Sequence, residues 1–330
     1  MSESDVSEQD AIITEAKKSI DGVRNEIGKV IVGQRHLIDR MLLALLTDGH
    51  LLLEGVPGVA KTLAVTTFAK TISCDSCRIQ FTPDLLPADL IGTSIYNPKE
   101  GTFSVRKGPI FTNIVLGDEI NRAPAKVQSA LLEVMQERQA TIQGETFKTG
   151  APFMVLATQN PIEHEGTYPL PEAQTDRFMM KVKIDYPTQE EEKEILERMG
   201  KLNGKPEVSS VIQIEEIEKA RCYVNEIFVD DKVSDYILDI IFASRNPSKF
   251  QTNIEGLLQY GASPRAGIHL QLAAKGHAFL SGRAYVTPHD VKSVAHDVLR
   301  HRLRRTYEAE AEEITPDDII DRILASVPVP

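Results

Sequence analysis

Leu51-Leu52-Leu53-Glu54-Gly55-Val56-Pro57-Gly58-Val59-Ala60-Lys61-Thr62 is a short apolar run that breaks into a glycine-containing turn and then begins a helical pattern reaching about Ser73. It reads as a strand, a phosphate-binding loop and a helix start. In such a loop successive backbone N–H groups point at a β-phosphate at the helix N-terminus, Lys61 supplies the counter-charge, and the Thr62 hydroxyl reaches Mg²⁺. Gly55, Val56, Pro57, Gly58, Val59, Ala60, Lys61 and Thr62 therefore form the candidate cradle. Ala60 stands where the general pattern has its second glycine. Helical dihedrals are expected there, which alanine accepts, whereas a left-handed position would cost any Cβ about 1–2 kcal/mol. Gly55 and Gly58 are left to supply the unusual angles. The alternative is an accidental Gly-x-x-Gly turn that caps a helix.

Downstream, Thr112 to Leu116 reads as a strand ending in Gly117-Asp118-Glu119. Two adjacent acids at a strand tip form an ordinary loop by themselves. After a Lys61-Thr62 loop they complete a second part of one Mg-nucleotide site in the right order: Asp118 to hold Mg²⁺ through its water shell, Glu119 to polarise the attacking water as general base. Phe153 to Thr158 is a further strand, and Gln159-Asn160-Pro161 follows it. Asn160 is a candidate to hydrogen-bond the water or the γ-phosphate; the other reading is a simple Asn-Pro turn. Upstream, Val30-Ile31-Val32-Gly33 flanks the loop, so Val32 and Gly33 are adenine-pocket candidates beside an equal case for plain core packing.

The rest of the chain is arranged around these strands. Ile13, Ala16, Ile20, Val23 and Ile27 predict an amphipathic helix, and Leu37 to Leu46 a second. Arg78 to Thr82 reads as a strand. Ser94–Tyr96 with Thr102–Val105, and later Ala140 to Phe147, read as hairpins. The short helix Leu170 to Phe178 leads to a fifth strand, Met179 to Ile184. Arg177 at its end has no evident local partner except Asp176 or Glu172, and is either a surface arginine or one that reaches the γ-phosphate of another subunit. Tyr186-Pro187 marks a boundary: Thr188 and Glu191 make a capping box and helical patterns take over, giving domains 1–186 and 187–330. Ser263-Pro264, Thr287-Pro288 and Thr315-Pro316 predict hydroxyl-capped helix starts. Arg265 falls in a first helical turn, where a cation opposes the dipole by about 0.3–1 kcal/mol. An anion such as phosphate would offset this.

Composition narrows the function classes. With 330 residues, 42% of them apolar, the chain supports two ordinary cores. It contains no run of eighteen apolar residues and begins with an acidic segment, so no membrane insertion and a cytoplasmic location are expected. A net charge of −11 argues against general nucleic-acid binding. Arg300-His301-Arg302-Leu303-Arg304-Arg305, the densest basic cluster, reads as a solvated helix end. Cys74 and Cys77 form a C-x-x-C that lacks the further ligands of a zinc site, and they read as incidental. The eight histidines, His164 beside Glu165 among them, read as structural or surface groups.

Taken together these residues resemble AAA+ ATPases, most closely the MoxR family. The resemblance rests on Leu53 to Thr62, Gln80-Phe81-Thr82-Pro83-Asp84-Leu85-Leu86-Pro87, Asp118-Glu119-Ile120-Asn121-Arg122-Ala123, Ala157 to Pro161 and Leu170-Pro171-Glu172-Ala173-Gln174. Ala60 is typical of that family. Gly117, where the family more often has a larger residue, should loosen the packing behind Asp118. The resemblance implies an α/β P-loop NTPase: a five-stranded parallel AAA+ core, a helix-2 insert hairpin near residues 93 to 109, a hairpin before sensor 1, and an all-helical lid. It implies ATP and Mg²⁺ as cofactors, Asn160 as sensor 1, Arg177 as an arginine finger given to a neighbouring protomer, Arg265 as the lid's sensor 2, and ATP bound between core and lid. A homo-oligomeric ring, by resemblance a hexamer, follows, with a protein client such as a von Willebrand factor A domain protein. The expected activity is ATP-driven, chaperone-like remodelling. Rival readings are a chelatase-like motor for metal insertion, a nucleotide-gated scaffold with little turnover, and a nucleic-acid motor.

Overall fold

The computed structural model describes residues 3–56, 58–99, 101–160, 167–200 and 206–330, with side chains from residue 9 onward. Pro57 of the loop, Glu100 of the first hairpin turn, Pro161 and the His164-Glu165 pair lie outside the described residues. Helix α1 (Glu3–Ile27) buries Ile13, Ile20, Val23 and Ile27, the stripe its spacing predicts. Helix α2 (Arg35–Leu46) is buried along nearly its whole apolar length. Then come β1 (Leu51–Gly55), α3 (Lys61–Lys70), β2 (Ser76–Gln80) and α4 (Pro87–Ile91). A hairpin follows, β3 (Gly92–Asn97) with β4 (Thr102–Lys107), then β5 (Ile114–Asp118), α5 (Ala125–Glu137), and a second hairpin of β6 (Gln139–Ile142) and β7 (Glu145–Lys148). Strand β8 (Met154–Gln159), α6 (Glu172–Thr175) and β9 (Met180–Ile184) complete the α/β part.

Five of these strands form one parallel sheet in the order β2-β5-β8-β1-β9. Parallel sheets are covered on both faces, so their strands are apolar throughout while successive side chains still alternate in direction. Leu51 and Leu53, Ile114 and Leu116, and Met154 and Leu156 join the core on one face, which α1, α2, α3 and the C-terminal helices cover. Leu52, Val115, Val155 and Ala157 join the other, under α4 and α5. Gly117 is tightly packed: a Cβ there would come within 3.0 Å of Cε2 of Phe81, whose buried ring fills the space behind Asp118. The looseness expected from the missing side chain is therefore not found, because Phe81, the residue after β2, supplies the volume.

After Ile184 the structure is mainly helical: α7 (Gln189–Met199), α8 (Ile214–Glu226), α9 (Asp231–Arg245), α10 (Pro247–Phe250), α11 (Pro264–Leu280), α12 (Pro288–Leu299), α13 (Tyr307–Ala311) and α14 (Pro316–Ser326). A small ribbon of β10 (Leu258–Tyr260) and β11 (Arg304–Arg305) interrupts it. The capping box expected at Thr188 and the hydroxyl cap expected at Thr315 are present, whereas the Thr287 N–H and hydroxyl both donate to the Asp290 carboxylate. Ser263 differs: its hydroxyl makes no cap to its own helix and donates to the Asp176 carboxylate, a charge-assisted bond. The helix that starts at Pro288 stops at Leu299, which frees the residues after it for the contacts described below. Helix α2 packs on α11, where a Cβ at Gly276 would lie 3.0 Å from Thr47, and Arg40 of α2 pairs with the buried Asp297 of α12 at 2.6 Å.

Candidate functional site

The sheet register sets the site. Strand β1 lies between β8 and β9, β8 lies beside β5, and Glu54 is level with Gln159. The loops leaving β1, β5 and β8 therefore meet at one edge, beyond the carboxyl ends of the strands, where ligands of open α/β sheets bind. This places Lys61 and Thr62, Asp118 and Glu119, and Asn160 together.

The loop bends through Gly58 at φ +89°, an angle that glycine adopts without steric cost. Ala60 also lies in the left-handed region, at φ 58°, ψ 26°. The expected helical dihedrals are overturned: the chain enters α3 only at Lys61, and Ala60 carries a Cβ through a turn that favours glycine, a strain of about 1–2 kcal/mol. The Gln34 side-chain amide, itself on a left-handed residue, donates to the Val59 carbonyl at 2.8 Å and ties the loop to the segment before α2. Lys61 Nζ donates to the carbonyl of Gly55 and, at 3.5 Å, to that of Gln159. Its charge thus lies across the tips of β1 and β8.

Asp118 is the hub. Its carboxylate accepts from Thr158 Oγ1 at 2.7 Å, Thr62 Oγ1 at 3.2 Å and Arg78 Nη2 at 2.7 Å. Burial alone would push its pKa up, but the bonds from Thr158, Arg78 and Thr62 outweigh it and hold the carboxyl below its ordinary value. Thr158 also accepts from the Glu119 N–H at 2.9 Å, so one hydroxyl fixes both acids. Glu119 takes a left-handed backbone at φ 58°, and its carboxylate accepts from Gln80 Nε2 at 2.9 Å and pairs with Arg122 at 3.2 Å. Asn160 is buried at the tip of β8, where its carbonyl accepts from Asn121 Nδ2 at 3.4 Å. Thr158, Gln34, Gln80 and Arg78 have no site role in the sequence reading, although Gln80 and Thr158 lie in stretches that carry the resemblance. Only Thr158 left a signal, as a polar residue in an otherwise apolar strand.

Val32 is buried and Gly33 turns at φ +65° beside a 680 Å³ cavity that Ile38, Asp39 and Arg198 also line. Arg198 of α7 donates to the carbonyls of Gly28 and Lys29, and a Cβ on Gly33 would sit 2.1 Å from the Glu191 carboxylate. Both ends of α7, the first helix of the helical part, therefore close this side.

Arg177 and Arg265 are elsewhere. Both line a 410 Å³ cavity with His50, Arg138, Met179 and His269, at the end where β1 and β9 begin. The length of β1, five residues or about 16 Å, separates them from the loop of the same chain. Arg265 is not left opposing a helix dipole alone: Nη1 donates to Asp176 at 3.0 Å, so a carboxylate of the chain itself supplies the expected anion. Arg177 makes no hydrogen bond or ion pair among the described residues through its guanidinium.

The basic cluster departs most from expectation. Arg302 exposes only 1% of its side chain and pairs with Asp176 at 2.8 Å, while Arg300 bonds to Asp297 at 2.8 Å and Asp317 at 3.0 Å. Burial drives His301 well below the usual histidine range, and Arg302, for the same reason, down to about 10. A helix end facing solvent is thus replaced by a buried charge network. Cys74 and Cys77 are free thiols pushed up to about 11 by burial, which suits neither redox nor metal chemistry.

Residues 50–180 match the ATPase family associated with various cellular activities (AAA), and residues 251–323 match the AAA lid domain. The Chaperone MoxR1 of Mycobacterium tuberculosis is 51% identical over 306 residues, covering 92% of this chain and 81% of that protein. Protein MoxR of Paracoccus denitrificans is 30% identical, with 99% of each chain covered. A protein of solved structure from Cytophaga hutchinsonii superposes with a TM-score of 0.90 at 50% identity, covering 96% of this chain and 97% of its own.

Proposed function

This chain belongs to the MoxR family of AAA+ ATPases, chaperone-like proteins with an AAA core and lid, and on that premise we propose that it hydrolyses Mg-ATP to remodel a protein client. One observation carries the reading: Lys61, Thr62, Asp118, Glu119 and Asn160 gather at one edge of the sheet while Arg177 and Arg265 stand at the other.

Residues 1–186 act as the nucleotide core and 187–330 as the lid, a division supported by the end of the sheet at Ile184 and the capped start of α7. The loop amides and Lys61 bind the phosphates, and Val32 and Gly33 flank the base. Thr62 and Asp118 are hard oxygen donors that meet at 3.2 Å, a set suited to Mg²⁺ and its water shell. Bound there, the ion supplies neutralisation of phosphate charge. Glu119 accepts the proton of the attacking water, and Asn160 orients the water or the γ-phosphate. The positive charge needed as the γ-phosphoryl group leaves comes from Arg177 of an adjacent copy. Arg265, on the same edge as Arg177, acts with it toward that neighbour, a revision of the expectation that it closes over its own nucleotide.

A site and a finger on opposite edges make a heterologous contact, which closes into a ring, a hexamer in this reading. The work is done in the cytoplasm on a protein client, with von Willebrand factor A domain proteins first to be tried. The chaperone name of the mycobacterial relative favours remodelling over metal insertion. Among the described residues no helix is long and apolar enough to cross a membrane.

Glu119→Gln tests the assignment. The variant should bind ATP like the wild type and lose about 100-fold or more in turnover. Wild-type hydrolysis rates would remove Glu119 from the mechanism.

A further inference from the structure

Arg177 stands where the helical lid bonds to the core backbone on either side of a single residue. Arg302, three residues past the end of α12, donates from Nε to the Asp176 carboxylate at 2.8 Å. Its Nη2 donates to the carbonyls of Asp176 at 3.1 Å and Phe178 at 2.6 Å, and its Nη1 to that of Met179 at 3.1 Å. It is anchored in the lid by the Val298 carbonyl and by Nδ1 of His269 in α11, at 2.6 Å, so that His269 accepts and is neutral. His301 adds Nε2 to the Phe178 carbonyl at 3.1 Å. At the start of α11, Ser263 donates to both carboxylate oxygens of Asp176 and Arg265 donates to Oδ2, the one that Arg302 does not take. The guanidinium therefore bonds to the backbone on each side of residue 177 and leaves the Arg177 side chain turned to the 410 Å³ cavity that it shares with Arg265.

Simple stabilisation is a weak explanation for this arrangement. A buried ion pair contributes little net stability compared with apolar residues of the same volume. A fork of fixed geometry, in contrast, transmits position: planar donors on both sides of a residue define its backbone to a fraction of an ångström. We propose that Arg302 and Asp176 form a positioning clamp that joins the lid to the finger segment, so that Arg177 and Arg265 are presented to the neighbouring copy as one unit which moves with the lid. This inference rests on the trans role of Arg177 proposed above. Neither clamp residue touches nucleotide; they act through Arg177, and their loss disables the neighbour's site while leaving the chain's own site whole.

Mixed rings separate that signature from a structural defect. Arg302→Lys keeps the charge beside Asp176 and most of the volume but cannot fork to the carbonyls around residue 177; Asp176→Asn breaks the clamp from the other side. Each variant should bind a fluorescent ATP analogue within twofold of wild type, assemble as wild type does, and lose tenfold or more in kcat. Titrated with a Lys61→Ala protein, which cannot bind ATP but carries an intact finger, each should regain activity, as Arg177→Ala does in the same titration. Wild-type kcat in both variants would overturn the proposal. So would weakened nucleotide binding, failed assembly, or no recovery with Lys61→Ala while Arg177→Ala does recover, because the contacts would then be structural only. If Arg177→Ala itself fails to recover, the trans finger is wrong and the clamp falls with it.

Discussion

His50 at the foot of β1 offers a quantitative test of how the sheet is built. Its Nε2 donates to the Met135 carbonyl at 3.1 Å, its Nδ1 accepts from the Val155 N–H at 3.0 Å, and its ring stands edge-on to Phe153 with centroids 5.8 Å apart. These partners fix the neutral ring, since a proton on Nδ1 would face an N–H. Burial first, and the nearby Arg138 charge second, depress its pKa to about 3, against an ordinary value of 6.5. Between those values the unfolded chain binds a proton that the native chain does not. Stability from His50 is therefore complete above pH 6.5 and is lost as pH falls toward 3, at about 1.4 kcal/mol per pH unit. From pH 6.5 to 5 that is about 2 kcal/mol. His269, also depressed to about 3 by burial, and His301 add losses of the same sign. The assay is urea unfolding of the nucleotide-free protein at pH 7 and pH 5, compared with His50→Gln, which retains an N–H and an oxygen but does not titrate. Wild type should lose about 2 kcal/mol more than the variant over that interval. Parallel losses in the two proteins would refute the buried neutral ring.

Two further substitutions test the nucleotide side and the joint between core and lid. Gly33→Ala puts a Cβ at φ +65° against the Glu191 carboxylate, which accepts from the Thr188 N–H at 2.9 Å. The strain and the disturbed cap together cost about 2–3 kcal/mol, and ATP affinity in a fluorescence titration should fall tenfold or more; unchanged affinity would remove the base from this cavity. Arg40→Met leaves Asp297, which is 2% exposed, with only His36 and Arg300, and should destabilise the protein by about 3 kcal/mol in urea at pH 7. A loss below about 1 kcal/mol would show that the pair contributes little beyond its packing.

The sheet was legible because apolar runs such as Leu51–Leu53 and Phe153–Thr158 end in residues with distinctive chemistry, although the chain order Lys61, Asp118, Asn160 is not the order β5-β8-β1 in which their strands lie side by side. What the residues could not reveal depends on distance in sequence. Asp176 and Arg302 are 126 residues apart, and nothing in the run Arg300 to Arg305 distinguishes a buried guanidinium from a solvated one. Ser263 reads as a cap until the carboxylate that takes its hydroxyl is known. Ala60 misled for another reason: its local preference is helical, and the turn imposed by the strand before it and the helix after it overrides that preference. Arg265 was legible as part of a helix start but its place beside His50 and Arg177 was not, since a helix has no address until it is packed.

The contact between Gly117 and Phe81 bears on how this chain can vary. The ring that follows one strand occupies the volume that a side chain on the next would need, so the two positions share one allotment of space behind Asp118. A larger residue at 117 obliges the Phe81 ring to give by a few tenths of an ångström; if the ring is held, the strands must separate, which would shift the carboxylate that Thr62 and Thr158 hold. Gly117 thus sets how closely the Phe81 ring lies behind Asp118, and a larger residue at 117 would be read first in the tilt of that ring.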